Sequence, residues 1–287
     1  MRYENIPGTG RERMSDTDAD AAAPEPRGDH FVQSLERGLA VVRAFSADRP
    51  EMTLSEVARA TGLTRAAARR FLLTLADLGY VRFDGRLFAL TPRVLELGYA
   101  YLSSAGLPEV AQPHLQALAS EVRESSSVSV LDGDDVVYVA RAATSRIMTV
   151  AISVGTRFPA CVTSMGRVLL AGRPDRELDA YLDRLEVPAL TAHTVAGTGA
   201  LRRELERVRA QGWAIVDQEL EEGLRSVAAP IRDREGRVIA AANVSVQASR
   251  MTVRGLRTQI LPSLLATVSR IEADLEIASR TAGPARA

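Results

Sequence analysis

Hydrophobic positions in the first third of the chain follow two helical patterns, which are separated by a glycine and followed by two short strand patterns. Leu54 and Val57 recur at the spacing of one helix face, and Thr53 and Glu56 have the spacing of an N-terminal capping box. Gly62 has the place of a residue that ends a helix. The pattern therefore predicts a short capped helix that stops before Gly62.

A second helix is predicted directly after this glycine, with Thr64 as its capping residue. Its buried stripe would consist of Ala68, Phe71, Leu72 and Leu75. Two apolar strands at 80–83 and 87–90 follow, and Asp84 and Gly85 between them are typical of a hairpin turn. Two helices joined by a glycine turn and followed by a hairpin are typical of a winged helix-turn-helix.

The second helix carries several positive charges in its first half and no acidic residue before Asp77. Recognition helices of this motif place their base-reading residues in that half. The candidate contacts to an operator in double-stranded DNA are Thr53, Ser55, Thr64, Arg65, Ala67, Arg69 and Arg70 on the helices, and Arg82 and Arg86 on the hairpin. An arginine-rich helix is more often a solvated face, and a helix-turn-helix can mediate protein contacts alone. The two caps, the glycine turn, the basic helix and the basic hairpin together favour DNA binding.

The chain before this motif divides into two parts. Residues 1–29 contain hardly any apolar side chain larger than alanine, which predicts a disordered tail, and Met14 is a second candidate for the first residue of the protein. A helix is expected between Phe31 and Phe45. Its buried stripe would consist of Leu35, Leu39, Val42 and Phe45. This helix would complete a winged domain at 30–92.

A further apolar helix is predicted at 93–104, in a linker that extends to residue 107. Its apolar residues are too numerous for a helix that stands alone in solvent. It would pack against its copy in a dimer or, as the alternative, against the second domain of its own chain.

The hydrophobic spacing changes to that of strands from residue 126 onwards. Strands are predicted at 126–132, 134–142, 146–154, 213–217, 225–233 and 238–247. Helices are predicted at 164–171, 176–185, 201–211 and 254–278, after a first helix that begins near residue 108. An antiparallel sheet flanked by helices is thus expected at 108–280, with a short tail at 281–287. The fold class of the whole chain is therefore multidomain α+β.

Composition restricts the function further. Basic and acidic residues balance at 36 each, so that a DNA-binding surface must be a local patch. The single cysteine excludes an internal disulfide, and no apolar run approaches the ~20 residues of a membrane helix. The first residues lack the apolar core of a secretory signal, so a cytoplasmic location without membrane contact is expected.

Residues that could carry catalysis are few. Three histidines and one cysteine do not supply the spacings of common metal sites, and no glycine-rich phosphate loop occurs. Cys161 and His193 could form a nucleophile pair, but a buried inert thiol is the commoner case. Ser226 lacks the following glycine of a hydrolase nucleophile elbow. No catalytic residue, metal or cofactor is expected.

Polar side chains at strand ends in the second domain are the remaining candidates for ligand contacts. This set comprises Asp217, Glu219, Arg225, Ser226, Asn243 and Ser245. Asn243 and Ser245 alternate along the last strand and therefore share one face. Arg225 or Arg146 could bind a carboxylate, but Arg225 could instead pair with Glu219 or Glu222. Asparagine and serine on strands also often bond only to neighbouring backbone, which is the alternative for each residue.

Three stretches of the chain resemble the IclR family of bacterial transcription regulators: FVQSLERGLAVVRAF, LSEVARATGLTRAAARRFLLTLADLGYV and EGLRSVAAPI. The resemblance covers nearly the whole chain after Phe31. The RRFLLTL and GLRS motifs are most similar to the branch that governs aromatic-acid catabolism through the beta-ketoadipate pathway. The resemblance implies a GAF-like second domain that binds a small organic acid, in a homodimer or a dimer of dimers that binds an operator.

The resemblance also implies a set of effector-binding positions. In the founding members the small-acid pocket is built from positions that match Ile147, Val150, Ser164, Met165, Ser226, Asn243 and Ser245. Ser226 replaces a cysteine, Ser164 and Met165 replace a glycine-alanine pair, and Asn243 replaces a serine. A reshaped pocket that takes an aromatic or dicarboxylic acid is therefore expected. The rival functions are a second domain that only oligomerises and an enzyme that acts on small acids.

Overall fold

The computed structural model describes residues 30–46, 48–97, 106–144 and 152–281. The chain divides into two compact units between Val94 and Leu95. Several predictions lie outside the described residues: both terminal tails, most of the linker helix, and the two pocket positions Ile147 and Val150.

The first unit contains three helices and a small antiparallel sheet. Its elements are α1 (Gln33–Arg43), β1 (Glu51–Met52), α2 (Leu54–Thr61), α3 (Arg65–Asp77), β2 (Val81–Phe83) and β3 (Phe88–Leu90). The strand order is β1-β3-β2, and a 3-10 turn at Pro92–Leu95 follows. The predicted helices and hairpin are confirmed. Strand β1, which pairs Met52 with Phe88, was not predicted.

Local hydrogen bonds explain why α2 and α3 begin where they do. The amide of Thr53 donates to Glu56 Oε2 at 2.7 Å, and the amide of Glu56 donates to the Thr53 hydroxyl at 3.4 Å. The predicted capping box is therefore present. Gly62 ends α2 with φ 65°, a left-handed conformation that glycine adopts without strain. The Thr64 hydroxyl accepts from the amide of Ala67 at 3.2 Å and thereby caps α3.

The buried face of α1 differs from the prediction. The core of this unit consists of Val41, Phe45, Met52, Val57, Leu72, Val81 and Phe88. Leu35 and Leu39, which were predicted to be buried, are 62% and 47% exposed. The helix instead packs through Gly38 and Val41, because Gly38 leaves room for the ring of Phe71, whose nearest atom lies 3.8 Å from the position of a Cβ.

The second unit is a six-stranded antiparallel sheet with helices on both faces. Its elements are α4 (Leu107–Val122), β4 (Ser125–Asp132), β5 (Asp135–Ala142), β6 (Arg157–Pro159), α5 (Ser164–Ala171), α6 (Asp175–Arg184), α7 (Gly197–Gln211), β7 (Ala214–Asp217), β8 (Leu224–Arg232), β9 (Val238–Gln247) and α8 (Leu261–Thr281). The strand order is β6-β5-β4-β9-β8-β7.

Two details of this unit depart from the predicted elements. Residues 152–154, the described end of the predicted third strand, are not in a strand, and the edge of the sheet is formed by β6 instead. The predicted last helix begins with a helical turn at Val253–Gly255 and a π-helical turn at Leu256–Ile260 before α8.

The sheet separates two hydrophobic cores. Helices α4 and α8 cover one face, where Leu115, Val244 and Leu264 are buried. Helices α5, α6 and α7 cover the other face, where Met165, Tyr181 and Ala228 are buried. Because successive strand residues point to opposite faces, each strand contributes alternate residues to the two cores. The face that α5 covers is called the α5 face below.

Candidate DNA-binding helix and effector cavity

The N-terminal half of α3 is a basic exposed surface. Arg65, Arg69 and Arg70 are exposed, and none of them forms an ion pair with any residue that the structure describes. Thr64 caps the helix, and Ala67 is half-buried beside it. The three guanidinium groups are thus available for base edges or phosphates.

The other candidate contacts of this unit are less uniform. Arg82 on β2 already pairs with Glu51 at 2.5 Å, so that a phosphate would have to compete with this carboxylate. Arg86 is exposed in the hairpin turn, which Asp84 holds by accepting from the amides of Arg86 and Leu87. Thr53 caps α2, the helix that precedes α3, and half-buried Ser55 lies in the first turn of α2.

A small cavity of about 20 Å³ lies on the α5 face of the sheet. Its walls are Tyr138, Ile152, Val162, Thr163, Ser164, Met165, Val216, Leu220, Leu224, Ser226, Asn243 and Ser245. Five of the predicted effector residues are therefore brought together: Ser164, Met165, Ser226, Asn243 and Ser245. A cavity of this size holds about one water molecule, so an organic acid can enter only if the walls move apart.

The polar groups of this cavity form two hydrogen-bonded pairs. Ser226 Oγ donates to Ser164 Oγ at 2.8 Å, and Asn243 Nδ2 donates to Ser245 Oγ at 3.1 Å. Asn243 Oδ1 is buried and has no hydrogen-bond partner among the described residues. A buried amide oxygen without a donor costs free energy, which a ligand hydroxyl or a water would recover.

Helix α5 directs its N-terminus at the cavity. Thr163 Oγ1 accepts from the amide of Gly166 at 3.0 Å, and Thr163 O accepts from the amide of Arg167. The amides of Ser164 and Met165 have no acceptor among the described residues. Two free amides at the positive end of a helix dipole suit a carboxylate.

Gly166 sets the distance between α5 and the preceding segment. A Cβ at this position would lie 2.1 Å from the carbonyl oxygen of Ala160 and 2.4 Å from its Cα. Only glycine therefore allows α5 to pack directly against this backbone, where Ser164 and Met165 are held beside the cavity.

A buried ion pair lies beside the cavity and was missed by the sequence analysis. Arg167 Nη2 donates to Glu219 Oε2 at 2.6 Å, and the two side chains are only 3% and 11% exposed. The same carboxylate oxygen accepts from the amide of Val195 at 2.8 Å, and Arg167 Nε donates to the carbonyl of Cys161. Glu219 thus joins α5 to the loops around β7 and is not among the residues that line the cavity.

Asp217 and Arg225 are on the other face of the sheet. Each directly neighbours a cavity residue, Val216 or Ser226, and so points to the opposite side. Arg225 binds Asp217 through two bonds of 2.7 and 2.8 Å, and this guanidinium holds the pKa of the carboxyl below its usual value. The suggested pairing of Arg225 with Glu219 or Glu222 was wrong, because Asp217 faces it across the strand pair.

The described walls of the cavity include no activated nucleophile. Burial raises the pKa of Tyr138 to about 12, so its phenol is neutral, and burial raises the pKa of the Cys161 thiol as well. Within the described ranges, no three His, Cys, Asp or Glu side chains are grouped as metal ligands. The described helices include none with the length and apolarity to cross a bilayer.

Comparison with known families decides the relationship of this chain. The model of the IclR helix-turn-helix domain matches residues 34–85, and the model of the bacterial transcriptional regulator IclR C-terminal domain matches residues 99–273. The chain belongs to the IclR family. The resemblance inferred from the motifs and the predicted fold class are therefore confirmed, and this IclR protein is a transcriptional regulator rather than an enzyme.

Individual relatives agree with this assignment. The chain is similar to the Pca regulon regulatory protein of Pseudomonas putida, with 47% identity over 82% of this chain and 81% of the relative. It is similar to the crystal structure of a protein described as a transcriptional regulator from Rhodococcus sp. RHA1, with 58% identity, a TM-score of 0.79, and coverage of 86% and 100%. An IclR homologue from Microbacterium hydrocarbonoxydans, solved with 4-hydroxybenzoate, is 26% identical with a TM-score of 0.76 and coverage of 85% and 99%.

Proposed function

We propose that this IclR-family regulator binds an aromatic or dicarboxylic acid in the cavity of the α5 face and thereby controls genes of aromatic-acid catabolism. The observation that carries this proposal is the group of polar side chains in the cavity, with Ser164, Ser226, Asn243 and Ser245 beside apolar walls. The relative that regulates a Pca regulon and the relative solved with 4-hydroxybenzoate support the class of ligand.

The chemistry of the cavity suits one end of such an acid. A carboxylate would accept from the two free amides of α5 and from the hydroxyls of Ser164 and Ser226. The ring or alkyl chain would contact Val216, Leu220 and other apolar walls. Since the cavity is nearly closed, the acid would bind an opened state and shift the population towards it. Coupling of this shift to operator affinity would be worth about 1 to 3 kcal/mol.

Removal of the polar groups should weaken binding of the acid. Calorimetry with 4-hydroxybenzoate, 3,4-dihydroxybenzoate and adipate should find at least one ligand for the parent protein. Ser226→Val and Asn243→Leu should each weaken its binding about tenfold or more, because each removes a buried hydrogen-bonding group. Ser249→Ala, at an exposed serine in a turn, is the matched control and should leave the affinity unchanged.

Two outcomes would contradict this proposal. If no acid binds, the second unit is better explained as an oligomerisation module. If binding is undiminished in both cavity variants, the acid binds elsewhere on the protein.

We also propose that α3 reads the major groove of an operator. One winged domain contacts one half-site, so the active species would be a homodimer or a dimer of dimers on a paired site in the cytoplasm. Leu35 and Leu39 in the first unit and Leu95 and Leu97 in the second unit are exposed, and exposed apolar side chains support self-association.

Arginine-to-alanine substitutions on α3 test the DNA contact. Arg65→Ala, Arg69→Ala and Arg70→Ala should each weaken operator binding, by about 1 to 3 kcal/mol where the arginine reads a base. A gel shift at fixed salt measures the effect. Arg176→Ala, at an exposed arginine of α6, is the control. Unchanged affinity in all three α3 variants would show that another element binds the operator.

A further inference from the structure

Three buried or half-buried arginines belong to the elements around the cavity, and two of them are neutralised. Arg167 pairs with Glu219, and Arg225 pairs with Asp217 on the opposite face. Arg141 on β5 is half-buried, and no carboxylate of the described chain forms an ion pair with it. Its only side-chain hydrogen bond in that part of the chain is donated by Nη1 to Ser127 Oγ at 3.3 Å.

The sheet register places Arg141 on the same face as the cavity. Arg141 is paired with Ser127 on β4, and Ser127 is paired with Asn243 on β9. Directly paired residues share one face, so the three side chains form a row across β5, β4 and β9. Asn243 lines the cavity, and two strand spacings separate it from Arg141 by about 10 Å.

Arg141 has the properties of an anion-binding residue. Partial burial removes water from the guanidinium and lowers the pKa of Arg141, and the neutral hydroxyl of Ser127 compensates only a part of that loss. A guanidinium has five donors in a planar fork that matches a carboxylate. The amides of α5 and the serine hydroxyls already suffice for one carboxylate, so Arg141 is available for a second.

We propose that Arg141 binds a second anionic group of the effector, at the end remote from the N-terminus of α5. Arg141 is then a specificity-determining residue, and the protein selects dianionic acids over monoanionic acids of the same shape. This inference rests on the proposed function of the cavity and extends it to the class of acid.

Matched pairs of ligands isolate the second charge. Terephthalate and 4-carbamoylbenzoate have the same shape and differ by one negative charge, as do adipate and its monoamide. In calorimetry the parent protein should bind the dianion of at least one pair about tenfold or more tightly than its monoanion, the gain expected for a charge-assisted bond. Arg141→Gln should abolish this preference and leave the affinity for the monoanion within about twofold.

Two further variants and a measurement of thermal unfolding separate the loss of a ligand contact from the loss of folded structure. Arg141→Lys keeps the charge and should retain part of the preference, whereas Arg123→Gln, at an exposed arginine after α4, should retain all of it. Thermal unfolding shows whether Arg141→Gln is folded. If Arg141→Gln is unfolded, the ligand preference of Arg141→Lys tests the role of Arg141 instead.

The outcomes separate this inference from the proposed function. Equal affinity of the parent protein for the two members of both pairs would overturn the role of Arg141 while leaving acid binding intact. Equal weakening of both members in Arg141→Gln would also overturn it, because that result assigns Arg141 to bracing β4 through Ser127. Absence of binding for every acid, including 4-hydroxybenzoate, would overturn the proposed function and this inference together.

Discussion

Glu219→Gln should lower the free energy of unfolding of the second unit by about 3 to 5 kcal/mol, because removal of one member of a buried ion pair leaves the other charge uncompensated. Arg167 is only 3% exposed and has no second carboxylate within the described residues, so its charge cannot turn to solvent. The glutamine also weakens the bond from the amide of Val195, which now ends on a charged oxygen. Urea unfolding followed by circular dichroism measures the change.

Asp132→Asn is the matched control for this variant. Asp132 pairs with Arg157 at 2.6 Å, the same distance as in the buried pair, but the two side chains are 67% and 46% exposed. Loss of an exposed pair should cost about 1 kcal/mol or less. An equally small loss in Glu219→Gln would show that water reaches Arg167 and that the pair is not a structural link.

Gly166→Ala should be at least as damaging, with a loss of about 3 kcal/mol or more from forced overlap in a packed core. The added Cβ would lie 2.1 Å from the carbonyl oxygen of Ala160, and a backbone atom cannot rotate away as the end of a side chain can. Helix α5 would have to shift, and its shift would displace Ser164 from Ser226. Urea unfolding and acid binding should therefore both be impaired.

Gly199→Ala is the control for the glycine substitution. Gly199 is inside α7, and no atom outside the adjacent backbone of that helix lies within 4 Å of the position of a Cβ. Alanine should stabilise this helix by about 0.5 to 1 kcal/mol, since glycine loses more conformational freedom on folding. If both variants are neutral in urea, α5 does not pack on Ala160 as closely as the structure indicates.

Much of the first unit could be predicted because its signals are local. Thr53, Glu56, Gly62 and Thr64 specify helix ends through bonds that span three or four residues. Strand β1 could not be predicted in this way, because two residues have no periodicity and Met52 is defined as a strand only by its pairing with Phe88. The buried face of α1 was likewise decided by its partner surface, not by its own leucines.

In the candidate site, too, contacts with a local sequence signal could be predicted and contacts between distant segments could not. Alternation along β9 was enough to predict that Asn243 and Ser245 share a face, and they are bonded there. No local signal connects Arg167 with Glu219, which are separated by 52 residues. Arg225 was predicted to be a ligand contact because charge alone does not reveal a facing carboxylate on the neighbouring strand.

The order of strands in the second unit has a consequence for hydrogen exchange. Strands β5, β4, β9 and β8 have a hydrogen-bonded neighbour on each side, whereas β6 and β7 are at the edges of the sheet, and helices cover both faces. Backbone amides of the four inner strands should therefore exchange with deuterium mainly when the whole unit opens, and those of β7 through smaller local openings. Val216 in β7 and Leu220 shortly after it line the cavity. Binding of an acid should therefore first become visible as a change in the deuterium uptake of residues 214–220.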